Sequence, residues 1–162
     1  MIPQIIDVEA SGLHFDSYPI EIAILSGGEI KSWLIAPEPS WTYWDRRAEQ
    51  LHGLSRKKLL AEGLPVHVVA EQLSGAVDPE NRVVYSDAAP WDLGWIATLY
   101  QATHVSFDFH VASLQELLTG RELTWFEAKY REIETAGTYR RHRAADDVKA
   151  LRDAYHHATR HR

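Results

Sequence analysis

The chain has 162 residues, enough to bury a core and short enough to be expected as one domain over residues 1–162. Apolar residues make up 45% and charged residues 25%, and there is no cysteine, which excludes disulfides and thiolate metal sites and suits a reducing cytoplasm. The net charge of −6 argues against a protein that coats long nucleic acid, but not against a nuclease, because carboxylates that hold metal ions add negative charge of their own.

Met1 to Gln4 has no basic region followed by a long apolar run, so no signal peptide is expected. No apolar stretch approaches the roughly 18–20 residues that span a bilayer. Residues 2–8 and 18–25 read as buried strands. Gly27-Gly28 signals a tight turn, so residues 29–36 return as the antiparallel partner, ended by Pro37 and Pro39. A helix is predicted over residues 41–51 and stopped at His52-Gly53, and another over 65–77. Residues 82–86 read as a strand and 90–100 as a helix with Pro90 in its first turn. A fifth strand is predicted over 104–107, with helices over 111–118, 124–135 and 143–159. The order predicts an α/β fold, a mixed five-stranded sheet flanked by helices, its first three strands antiparallel.

Asp7 and Glu9 stand two apart at the end of the first strand, so both side chains leave the same face. Two such carboxylates repel unless a cation or proton lies between them, and hard oxygen ligands suit Mg²⁺ or Mn²⁺. Taken alone, Asp-x-Glu reads more readily as a solvated strand end than as a metal site. Asp92 follows Pro90 in the first turn of a helix, where the backbone dipole also favours an acid with no further role. His142 and Asp147 are five apart, about 140° around a continuous helix. If they serve one site, His142 lies on the loop before the last helix and Asp147 in its first turns.

That ordered set resembles the DEDDh group of DnaQ-like 3′–5′ exonucleases, which have a ribonuclease H-like fold. The first motif looks like Ile6-Asp7-Val8-Glu9-Ala10-Ser11-Gly12, with Tyr18-Pro19-Ile20-Glu21-Ile22-Ala23 behind it. Ala48 to Ser55 resembles the family's His-Gly-Ile/Leu stretch. Asp92 matches the second motif, with Trp91 where Phe is usual, and His142 to Asp147 matches the third. The family commonly has His-Asn four to five residues before the second-motif Asp, whereas this chain has Asp87 and Ala88. The resemblance covers about residues 5–151.

The resemblance implies two Mg²⁺ or Mn²⁺ ions, about 3.5–4 Å apart, clamping a scissile phosphate. Asp7 would bridge them, Glu9 and Asp147 would complete one site, and Asp92 would hold the other. His142 would be the general base, and the product a nucleoside 5′-monophosphate. Ser11, Gly12, Leu13 and His14 stand where the family grips the terminal nucleotide. His52 is a further candidate contact, and Arg140 and Arg141 are candidate phosphate contacts. The stand-alone length resembles ribonuclease T and oligoribonuclease, which favours RNA or short oligonucleotides and allows a homodimer. DNA as substrate, or a nucleic-acid-binding module without turnover, are the alternatives.

Overall fold

The structure is a computed structural model that describes residues 1–162. Its centre is a five-stranded sheet in the order β3-β2-β1-β4-β5. The strands are β1 (Ile5–Ala10), β2 (Pro19–Ser26), β3 (Glu29–Leu34), β4 (Val83–Ser86) and β5 (His110–Ser113). β1, β2 and β3 pair antiparallel, and β4 and β5 join parallel to β1. This is the mixed sheet that the sequence predicts. Gly27 and Gly28 both have positive φ, 58° and 81°, as the two-residue turn between antiparallel strands requires.

Six α-helices surround the sheet: α1 (Arg46–His52), α2 (Arg56–Glu62), α3 (Val66–Ala76), α4 (Ala89–Gln101), α5 (Gly120–Ala136) and α6 (Ala144–Thr159). The period-two alternation of β1 divides the core. Ile6, Val8 and Ala10 pack towards α3 and α4, against Val69, Leu73, Ile96 and Leu99. Ile5 packs on the opposite face against α5 and α6, with Phe126, Val148, Leu151 and Tyr155. Asp7 and Glu9 continue the Ile5 face, so they emerge beside the start of α6. No helix is long and apolar enough to cross a membrane.

Four local expectations need correction. The helix predicted over 41–51 begins only at Arg46, because Asp45 accepts the Arg47 N–H at 2.8 Å and sets the start there. Trp41, Tyr43 and Trp44 instead lie over the cluster of Tyr18, Ile20, Leu54 and Leu59. Residues 104–107 are not a strand. Phe107 stacks on Tyr100 with ring centroids 5.0 Å apart and closes the end of the core. The fifth strand lies further on, where Val111 and Ala112 pair with Val84 and Tyr85, so pairing overrides the helical pattern of residues 111–118. Only Leu114–Leu117 of that stretch is helical, as a short 3-10 turn. Finally, α2 was hidden in the basic run Arg56-Lys57-Lys58, although Ser55 caps it by accepting the Lys58 N–H at 3.1 Å.

Candidate active site

β1 and β4 lie side by side and parallel at the centre of the sheet, and their carboxyl ends open on one cleft. Open α/β sheets present functional groups at such ends. Asp7, Glu9, Asp92, His142 and Asp147 all line this cleft, with Leu13, Asp87, Trp91, Trp95, Tyr130, Glu134 and Arg141. Asp7 and Glu9 come from β1. Asp92 sits in the first turn of α4, buried at 1% exposure. His142 lies on the loop before α6 and Asp147 in its first turn, as their spacing requires.

The ligand atoms fall into two groups. Asp7, Asp87 and Asp92 bring three carboxylate oxygens within 4.8 Å of one another, and Glu9, His142 and Asp147 bring three ligand atoms within the same distance. Asp92 and Asp147 each have a local support. Ser86 donates its hydroxyl to Asp92 Oδ2 at 2.6 Å and accepts the Ala88 N–H at 3.0 Å. Asp147 Oδ1 accepts the His142 N–H at 3.2 Å. His142 has φ 61°, a left-handed backbone that is uncommon for a residue with a side chain.

The start of α6 is held from across the sheet. Arg143 provides no side-chain cap. Glu21 of β2 does so instead, accepting the Ala144 N–H at 2.8 Å and the Arg143 guanidinium at 2.8 Å and 3.1 Å. Glu21 pairs with Glu9 in the β-ladder, so one contact fixes His142 and Asp147 relative to the β1 carboxylates.

Burial and mutual repulsion raise the carboxyl pKa values. Asp7 is pushed well above the usual range by burial, then by Asp92, Glu9 and Asp147. Burial, then Asp147, pushes Glu9 up to about 9. Burial raises Asp92 to about 8 against the Ser86 hydrogen bond, and raises Asp147 to about 6. Burial, then Arg141, lowers His142, which favours the neutral imidazole near pH 7. Asp7 Oδ2 is buried with no hydrogen-bond partner. An oxyanion so placed costs free energy unless a proton or a cation reaches it. Oxygen donors in this arrangement fit hard divalent ions, with Asp7, Asp92, Glu9 and Asp147 as the residues that would hold them.

The substrate-contact candidates are placed unevenly. Gly12 and Leu13 line an adjoining depression with Ala48, Leu51 and His52. Leu13 is 70% exposed, so it stands clear of the core. A Cβ on Gly12 would lie 2.8 Å from the Tyr43 ring, so packing alone requires glycine there. His52 is buried; its Nδ1 accepts the Leu54 N–H at 3.0 Å, and its Nε2 has no partner. Burial lowers its pKa to about 4. Ser11 is fully buried, and its hydroxyl accepts the Tyr18 N–H, away from both depressions. His14 stacks on Tyr43 at 4.6 Å outside them. Arg141 reaches the cleft, paired with Glu134 at 2.9 Å, whereas Arg140 donates to the His52 carbonyl at 3.3 Å. Asp87, Tyr130 and Glu134 were not foreseen as lining the cleft. The departure from the second motif was the only signal for Asp87, and nothing in the sequence marked the two α5 residues.

No protein-family model matches the sequence, and no curated protein matches it. Solved structures do. Exonuclease I of E. coli in complex with a dT13 oligonucleotide superimposes with a TM-score of 0.69 at 14% identity, over 93% of this chain and 39% of that one. The zinc-bound form of an E. coli exonuclease I–single-stranded DNA complex gives 0.71 at 12% identity, over 98% and 40%. A further exonuclease I structure gives 0.72 at 15% identity, over 98% and 40%. The chain thus spans about two fifths of the proteins it resembles. At this identity the likeness establishes the architecture: the chain has the ribonuclease H-like α/β fold found in exonuclease I.

Proposed function

We propose that the chain is a metal-dependent 3′–5′ exonuclease that releases nucleoside 5′-monophosphates from the 3′ ends of single strands. The observation that carries this reading is the convergence of Asp7, Glu9, Asp92 and Asp147, with His142 beside them, on one cleft at the carboxyl ends of β1 and β4. Asp7 and Asp92 belong to one ligand group, and Glu9 and Asp147 to the other. Divalent ions held there would supply positive charge to the attacking and leaving oxygens of a phosphodiester.

The residues themselves account for the remaining chemistry. His142, kept neutral by burial, takes a proton from the attacking water. The water oxygen bonds to phosphorus while the bond from phosphorus to the preceding 3′ oxygen breaks, which frees the terminal nucleotide. Arg141 offers a guanidinium to the phosphate at the mouth of the cleft. Trp91 and, further out, Phe15 are exposed aromatic side chains suited to stacking against bases, and exposed Leu13 is placed to wedge against the last base.

RNA or short oligonucleotides are the substrate we favour, since a net charge of −6 disfavours a long phosphate track. DNA is the second reading, favoured by the dT13 and dA16 oligonucleotides bound in the exonuclease I structures. The lack of cysteine suits a cytoplasmic setting. Matched RNA and DNA strands, labelled at either end and incubated with Mg²⁺, test the proposal. Stepwise shortening from the 3′ end is expected, slowed roughly 10²–10⁴-fold in His142→Asn, which keeps a residue tolerant of the left-handed backbone. A folded protein that leaves both strands intact in Mg²⁺ and Mn²⁺ would refute it.

A further inference from the structure

Asp87 is the acid in the cleft to which the motif pattern gives no role. It follows Ser86, the last residue of β4, and comes just before α4. Ser86 ties this corner together by bonding both Asp92 and the Ala88 N–H, so the backbone that carries Asp87 is fixed relative to Asp92. An Asp87 carboxylate oxygen lies within 4.8 Å of ligand atoms of both Asp7 and Asp92. Of the nearby cations, Arg141 pairs with Glu134 and Arg143 with Glu21, while Arg131, on the outer side of Asp87, donates to the Glu127 carbonyl and forms no ion pair with Asp87. Asp7, at 9% exposure, keeps its Oδ2 buried without any partner. Three acids at this spacing, one with a buried oxygen that no hydrogen bond satisfies, are hard oxygen donors of the kind that divalent ions take.

We propose that Asp87 is a third carboxylate ligand of the cation held by Asp7 and Asp92. This rests on the metal-centre reading above and adds to it a ligand at the position where the resembled family has histidine. The added anionic oxygen replaces a water in the shell and strengthens binding of a divalent ion at this site over the one at Glu9 and Asp147. It also explains why the departure sits at this position: an aspartate there remains beside the site and contributes charge to it.

Calorimetric titration with MnCl₂ tests the assignment on wild type, Asp87→Asn, Asp7→Asn and Glu127→Gln. Glu127 is an exposed acid that lines the shallow depression on the outer side of Asp87, so its variant controls for loss of charge alone. Asp87→Asn is expected to weaken one of two Mn²⁺ sites by roughly 10–100-fold, the scale seen for residues that support a metal. Its metal-free melting temperature should hold or rise, because one of three crowded acids is gone. Glu127→Gln should titrate as wild type. An Asp87→Asn isotherm equal to that of Glu127→Gln, while Asp7→Asn loses binding, overturns this inference alone. A lower metal-free melting temperature for Asp87→Asn would assign the residue a structural role and overturn it as well. Absence of Mn²⁺ binding by the folded wild type would overturn both this inference and the metal-centre reading.

Discussion

Glu122 in the first turn of α5 and Asp147 in the first turn of α6 have opposite fates. Glu122 closes a capping box on α5: it accepts the Thr119 N–H at 2.8 Å, and Thr119 caps it in return. Arg162 binds the same carboxylate at 2.8 Å, and together these hydrogen bonds pull Glu122 down to about 2. Asp147 is pushed up to about 6, because burial, helped by Asp87, outweighs the Glu9 hydrogen bond and the His142 N–H that it accepts. The dipole at a helix start favours both anions alike. What differs is the partner: α5 spends its acid on its own stability, whereas α6 has its N-terminus capped by Glu21 and keeps Asp147 facing the cleft.

The sharpest way to break this contrast is to neutralise Asp147. Asp147→Asn should reduce nuclease activity roughly 10³-fold, since a metal ion supplies several kcal/mol to the transition state and each ~1.4 kcal/mol is tenfold. Its metal-free stability in urea should hold or rise. A clear loss of stability would make Asp147 a structural cap like Glu122. Next in size is Glu21→Ala, which removes acceptors from a guanidinium and a helix N–H and should cost about 1.5–3 kcal/mol. It should also reduce activity, because the loop with His142 loses its anchor. Thr119→Ala removes only a local cap, so it should cost about 1 kcal/mol and leave turnover unchanged. Equal effects of these two variants on turnover would erase the distinction between the helix starts.

The smallest effect is a pH dependence. The folded values of Asp147, Asp92 and Glu9, about 6, 8 and 9, lie above the ordinary carboxyl values near about 4. Between these limits the folded state binds more protons than the unfolded chain, so stability from these groups is present below the ordinary values and lost as pH rises through the folded ones. Divalent ions compete with those protons. The rise in melting temperature on adding Mg²⁺ should therefore grow from pH 5 to pH 8. A constant rise would show that the ion binds elsewhere.

The same contrast explains what could be read in the sequence. The central strands, the Gly27-Gly28 turn and the placement of His142 before Asp147 were legible, because alternation, turn chemistry and helical geometry are local. The position of β5 was not, because pairing with Val84 and Tyr85 decides it. Nor was the role of Glu21, which the sequence places in a strand behind the first motif, 122 residues from Arg143. Asp7 and Asp92 were legible as a pair only through the ordered motif set. The aromatic run Trp41, Tyr43, Trp44 imitated a helix while serving as a cover for Tyr18 and Leu54.

Crystals soaked in MnCl₂ and measured at the manganese absorption edge test the central claim most directly. Two anomalous peaks are predicted in the cleft, one among Asp7, Asp87 and Asp92, the other beside Glu9 and Asp147. A cleft without manganese at saturating concentration, its acids still gathered, would contradict the account.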